Sequence, residues 1–124
     1  MTKVFTGPYS TFAILSDGTL MGWGLNNFNQ IHSTNNSDVL APTPVYGLTG
    51  VVDVAITTYS VCALINTGGV KCWGVELYGQ VGNGSGGTTI VTTPHDAIVS
   101  GYQQLVGDNS GYCALAANGT VSCW

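Results

Sequence analysis

Positive charge is almost missing from this chain. Its 124 residues include Lys3, Lys71 and no arginine, against six acidic residues, for a formal net charge of -4. A protein that grips a phosphate backbone needs several cationic groups, each displacing a counterion, so nucleic-acid binding is not expected. Attachment to anionic lipid through a basic cluster fails for the same reason. Long apolar runs are missing too. None approaches the roughly 20 residues of a membrane-crossing helix, and membrane insertion is not expected. The opening MTKVFTGPYS lacks the apolar stretch of an intact signal peptide. That leaves the compartment open, because leaders are removed and phage-type proteins leave cells by lysis.

Chemical signatures are equally scarce. There is no Gly-x-Ser-x-Gly elbow and no phosphate loop closing in Gly-Lys-Ser/Thr. His32 and His95 are the only histidines, and neither sits in a ligand motif. Asp17, Asp38, Asp53, Glu76, Asp96 and Asp108 are scattered, whereas general acid–base work needs carboxylates held together. The expectation is a non-enzymatic chain with no catalytic, cofactor or metal site.

Glycine, by contrast, is abundant: 18 residues, about twice average usage. The glycines cluster with Thr, Asn and Ser between apolar runs, as in hairpin turns. Those runs repeat. STFAILSDGTLMGWG from Ser10, SVCALINTGGVKCWG from Ser60 and GYCALAANGTVSCW from Gly111 align, placing Trp23, Trp73 and Trp124 at intervals of 50 and 51 residues. Thr43-Pro44 precedes the second segment and Thr93-Pro94 the third, with Pro44 to Ser60 and Pro94 to Ser110 both 16 residues. The expected organisation is a single array, with units near 1–50 and 51–100 and a partial unit at 101–124.

Each unit reads as strands. In the middle one, Val51 to Ile56, Val61 to Ile65 and Val70 to Trp73 are apolar and β-branched, with the turn Asn66-Thr67-Gly68-Gly69 between the last two. A short outer strand is expected near Pro94, since proline suits an edge. Lys3 to Phe5, Phe12 to Leu15 and Thr19 to Trp23 correspond in the first unit; Tyr102 to Val106, Tyr112 to Ala116 and Thr120 to Trp124 in the last. No helical periodicity emerges. The runs are nearly continuous rather than alternating, which predicts small sheets covered on both faces. Four short strands per unit of 40–50 residues is the arithmetic of a β-propeller. The expected fold is all-β: about three blades of four-stranded antiparallel sheet, an incomplete ring.

The same residues resemble the regulator of chromosome condensation repeat, especially its cysteine-containing bacterial form. The middle unit carries Val61-Cys62-Ala63-Leu64, Gly69-Val70-Lys71-Cys72-Trp73-Gly74 and Gly79-Gln80-Val81-Gly82; the last carries Tyr112-Cys113-Ala114-Leu115 and Gly119-Thr120-Val121-Ser122-Cys123-Trp124. The first is degenerate: Phe12 and Gly22 occupy the cysteine positions, Trp23-Gly24 is kept, and Asn29 and His32 replace the glycines. The resemblance implies propeller blades, usually seven, in proteins that mostly bind other proteins.

The four cysteines form two pairs at equal spacing. Cys62 with Cys72, and Cys113 with Cys123, flank tight turns on adjacent strands, where opposed Cα atoms come within disulfide reach. Two pairs of buried thiols is the alternative; zinc fits poorly, because its sites favour closer spacing. Oxidised pairs imply an extracellular, cell-surface or virion-associated protein. Trp23, Trp73 and Trp124 read as packing wedges, with a sugar-binding stripe as the rival. Two functions are expected. In the first the chain is a structural block that completes a ring or fibre with other copies of itself, or sits among the remaining blades of a longer chain. In the second it binds a protein or glycan through Asn26 to Ala41 and Glu76 to Thr92.

Overall fold

The computed structural model describes residues 2–31, 35, 37–76, 89–97, 101–109 and 111–124. They form eleven strands and, among the described residues, no helix. The first sheet comprises β1 (Lys3–Thr6), β2 (Ser10–Ile14), β3 (Leu20–Gly24) and β4 (Val39–Pro44). The middle sheet comprises β5 (Val51–Ile56), β6 (Ser60–Ile65), β7 (Val70–Glu76) and β8 (Thr89–Asp96). The third comprises β9 (Tyr102–Gly107), β10 (Tyr112–Ala116) and β11 (Val121–Cys123). Each is an antiparallel meander in chain order. These are propeller blades, with three strands in the third sheet among the described residues.

The sheets stack face to face. One core joins Phe12, Ile14 and Leu20 of the first sheet to Val54, Val61 and Trp73 of the middle one. A second joins Cys62, Leu64 and Val70 to Leu105, Tyr112 and Ala114. The middle sheet is therefore covered on both sides, and β6 is buried at five consecutive residues, Ser60 to Leu64. Its counterpart β10 alternates between buried and half-buried over its first three residues, because only one of its faces is covered. Continuous apolar sequence and two-sided burial are thus the same fact in the middle sheet.

Two contacts fix the stacking. The hairpin carbonyl of Gly18 accepts Val51 N at 3.1 Å, and that of Gly68 accepts Tyr102 N at 3.1 Å. The backbones meet so closely that a methyl on Gly18 would sit 3.0 Å from Gly50 Cα, and one on Gly68 would sit 3.0 Å from Gly101 Cα. The inner strands run alongside one another in the same direction. Lys3 Nζ donates to Val52 O and Leu105 N to Asp53 Oδ2, each at 3.2 Å.

The outer strands are longer than the short edge expected near Pro94. β8 spans Thr89–Asp96 and β4 spans Val39–Pro44, so both variable stretches end in strand. Both outer strands pair with a register shift beside the residue after tryptophan, at Gly22/Gly24 and Cys72/Gly74. Gly24 and Gly74 share φ +108°, and a methyl on either would lie 2.6 Å from a backbone oxygen, of Tyr9 or Tyr59. Leu25 N and Val75 N donate to those same oxygens at 2.9 Å.

The Trp-Gly step is thus required by geometry. Gly74→Ala combines a strained φ, of order 1–3 kcal/mol, with a collision of similar cost. Gly119→Ala has only the first, because the space beside Gly119 (φ +88°) is open. Urea unfolding should therefore show Gly74→Ala losing at least twice the stability that Gly119→Ala loses.

Candidate functional site

Two regions of the described surface hold the groups that could do chemistry or recognition: the seams between sheets and the rim where the β1–β2 and β5–β6 turns meet the β3–β4 connection. Cys62 and Cys72 lie in the seam between the middle and third sheets, and Cys113 and Cys123 on the outward face of the third. Cys62 faces Cys72 across β6 and β7, with Cα atoms 4.1 Å apart and sulfurs bonded at 2.04 Å; Cys113 and Cys123 face each other at the same Cα distance and are bonded at 2.07 Å. The first bridge is fully buried beneath the third sheet. In the first sheet the opposed residues are Phe12 and Gly22. The Phe12 ring lies over Gly22, where a methyl would come within 2.9 Å of Phe12 Cε1 and 3.2 Å of Ile31 Cγ2. An aromatic ring beside a glycine thus fills the volume that a disulfide fills in the next sheet.

Trp73 is buried in the first seam, and its indole N–H donates to Gln30 O at 2.7 Å. Trp23 is half-buried at the corresponding position of the first sheet. Trp124 packs against the second core beside Tyr112, and its indole nitrogen has no partner among the described residues. Gly79, Gln80, Gly82 and His32 lie outside the described residues. The corresponding turn of the first unit is described. Asn29 stands where Gly79 stands in the repeat, and it has φ +57°. Asn26, fully buried, accepts Ile31 N at 2.8 Å and donates to Asn35 O at 2.9 Å, pinning the turn that presents the Gln30 carbonyl to Trp73.

A buried hydroxyl cluster crosses the second seam. Tyr112 Oη lies 2.7 Å from Ser60 Oγ and 3.4 Å from Thr57 Oγ1, while Ser60 Oγ and Thr57 Oγ1 are 2.8 Å apart. Burial pushes the Tyr112 phenol up to about 12, against the opposing pull of the Ser60 and Thr57 hydroxyls. The sequence reading missed this cluster. Its only signal was a tyrosine at the position held by Thr11 and Val61 in the other repeats.

The carboxylates whose side chains are described do not converge. Asp17 accepts Thr19 N at 2.9 Å, and hydrogen bonding from Thr19, its side chain before its backbone, holds the carboxyl below the usual range. Asp53 accepts from Val54 and Leu105, Asp96 pairs with Lys71 at 3.1 Å, and Asp108 accepts Gly111 N. Among the described residues no three His, Cys, Asp or Glu side chains gather as a metal site would require.

The rim is the other region. Parallel inner strands bring the Gly7–Tyr9 and Thr57–Tyr59 turns to the same end of the stack as residues 25–31. Phe28 and Tyr59 meet edge-to-face with centroids 5.1 Å apart, and Tyr9 is exposed on the adjoining turn. Three aromatic residues from two sheets thus share one surface.

The profile of the Regulator of chromosome condensation (RCC1) repeat matches residues 1–30. No curated protein matches the chain. Solved structures do. Human WBSCR16 superposes with a TM-score of 0.86 at 22% identity, over 99% of this chain and 32% of that one. Yeast RCC1 (Prp20), solved bound to Kap60, superposes with a TM-score of 0.84 at 22% identity, over 98% and 31%. Saccharomyces cerevisiae Prp20p, described with its binding properties to Gsp1p and histones, gives 0.84 at 21%, over 98% and 32%. The chain spans about a third of the length of the structures it matches and has their propeller-blade fold.

Two measurements follow. Phe12→Cys with Gly22→Cys should form a third disulfide in the folded chain, seen as a full loss of the two new thiols in a thiol titration; persisting thiols would mean the opposed positions are not interchangeable. Tyr112 supplies a pH test. Below pH 10 the phenol is protonated in both folded and unfolded chains. Between about 10 and 12 it ionises only when unfolded, so stability falls by roughly 2–3 kcal/mol across that window. Tyr112→Phe should cost about 1 kcal/mol at neutral pH and flatten the alkaline fall in the urea midpoint.

Proposed function

We propose that this chain is a non-enzymatic propeller module that captures a protein partner on the rim carrying Tyr9, Phe28 and Tyr59. The observation that carries the reading is the gathering of these rings from separate turns onto one exposed surface. Tyrosine suits such a surface, with large apolar area, few rotatable bonds and a polar tip. The β3–β4 connection, the most variable part of the repeat, opens onto the same rim. Propellers of this fold in yeast take protein partners, which supports a protein ligand ahead of a glycan. The dearth of cationic side chains sets nucleic acid aside.

The two cystines support a chain that works outside a reducing cytosol, in an extracellular, cell-surface or virion-associated setting, and align it with the cysteine-containing bacterial form of the repeat. A second reading, in which the chain is a structural block stacked against its own copies or against the remaining blades of a longer chain, is favoured by a separate observation. The outward face of the third sheet exposes Val106 and Val121, although the corresponding face of the middle sheet is covered.

Tyr46 is the control for the rim. It is 76% exposed, against 63% for Tyr9, but lies on the β4–β5 connection at the opposite end of the strands. In pull-down from a cell-surface extract, Tyr9→Ala with Tyr59→Ala should weaken capture of a specific protein at least roughly tenfold, the loss expected for aromatic anchors. Tyr46→Ala should leave it unchanged. Equal loss in both variants, with the fold intact by circular dichroism, would overturn the assignment of the rim.

A further inference from the structure

The strands deliver their turns to two ends of the stack, and the charged residues divide unevenly between those ends. Lys3 opens β1 and Lys71 lies just after the β6–β7 turn, so both lysines of the sequence sit at the end away from the rim. Both are engaged there. Lys3 Nζ donates to Val52 O at 3.2 Å, and Lys71 pairs with Asp96 at 3.1 Å. Asp17, Asp53 and Asp96 share that half of the stack. The other acidic residues, Asp38, Glu76 and Asp108, occupy the rim end. Exposed Asp38 precedes Val39, which pairs with Gly24, and Leu25 beside it donates its N–H to the Tyr9 carbonyl. Glu76 closes β7. Exposed Asp108 follows Gly107, where a methyl would come within 3.3 Å of Ala55 Cβ near the end of β5. The rim end therefore combines aromatic rings with acidic residues and holds neither lysine nor arginine.

This surface belongs to the ends of strands and does not depend on an uncovered sheet face. The middle sheet is covered on both faces, yet Tyr59 on its β5–β6 turn is still 37% exposed. Phe28 and Tyr59 meet edge-to-face at 89°, an arrangement in which neither ring hides more than one face of the other. A free ring face is electron-rich and attracts a cation. Acidic residues at the same end add to that field, and no lysine stands among them to offset it. An acidic partner would be repelled from the same surface.

Resting on the rim reading above, we propose that the captured partner presents a basic segment rich in arginine. A guanidinium can lie flat on a tyrosine face and still direct N–H groups to a carboxylate, a double engagement that the point charge of an ammonium does not match. Asp38 belongs to the first unit and Asp108 to the third, so the attraction extends along the stack past the Phe28–Tyr59 pair.

The probe is a short fluorescent peptide of alternating arginine and glycine, with a glutamate–glycine counterpart as control, titrated with the full chain at low salt and read by anisotropy. The arginine peptide should bind and the glutamate peptide should not. Asp38→Asn with Asp108→Asn should weaken binding roughly tenfold, whereas Asp17→Asn with Asp96→Asn, which removes the same charge from the opposite end, should change it less than about twofold. Tyr59→Leu keeps apolar area, removes the aromatic face and should weaken binding roughly threefold, the loss of one exposed cation–π contact. Equal loss from the two charge-neutralised variants would mean attraction to net charge alone and would overturn the basic partner. An arginine peptide that fails to bind would overturn it too. Either result leaves the rim standing as a protein-binding surface, which the capture experiment with Tyr9→Ala and Tyr59→Ala decides separately. Undiminished binding by Tyr59→Leu would overturn the engagement of the rings.

Discussion

A small sheet with apolar side chains on both faces cannot hold its shape in water unless something covers each face. The middle sheet meets that requirement from within the chain, and its strand β6 is buried along five consecutive residues. The stacking that achieves this leaves very little space between backbones at the inner end of each seam. Two glycines meet there, Gly18 with Gly50 and Gly68 with Gly101, and a hairpin carbonyl of one sheet accepts an amide of the next. Side-chain volume is thereby fixed a few residues away, because the sheets can neither separate nor close further. The Phe12–Gly22 pair and the two cystines are alternative ways of filling the same slot.

This constraint explains which parts of the repeat vary. Trp73 and Gly74 act on opposite sides of β7: the indole reaches back to the Gln30 carbonyl, and the glycine lets the strand pass the Tyr59 carbonyl while its register shifts. Neither role tolerates another side chain. The disulfide position, by contrast, needs only volume and apolarity, and it changes between repeats without disturbing the stack. Tyr112 shows a third behaviour. It adds a polar cluster to one seam only, since Val61, its equivalent in the first seam, offers no hydroxyl.

Much of this was legible in the sequence because it is local. Turn glycines, β-branched runs and the equal spacing of cysteines each report on residues a few positions apart, and a repeat of about fifty multiplies that signal. The length of the outer strands was not legible. Val39-Leu40 and Thr89-Ile90 are ordinary strand residues, but prolines nearby argued for short edges, and the register shift at Gly24 and Gly74 that accommodates them depends on backbone geometry. The hydroxyl cluster and the aromatic rim were hidden for a different reason. Ser60 with Tyr112, and Phe28 with Tyr59, meet only because separate sheets stack, and no interval within one repeat encodes how the next one sits upon it.

The seam and the rim therefore place different demands on the same chain. A seam residue is judged by the face it meets, which is another copy of the same repeat, so substitutions there must remain compatible with every neighbour in the stack. A rim residue meets no sheet. Tyr9 and Tyr59 share a position, whereas Ser110 occupies it in the third unit, and the adjoining turns remain closed by the same backbone bonds, Gly7 N to Ser10 O, Thr57 N to Ser60 O and Asp108 N to Gly111 O. Side chains at that position can change while the turn stays intact. In a fold whose interior is fixed by repetition, the rim is where recognition can diversify without disturbing the stack beneath it.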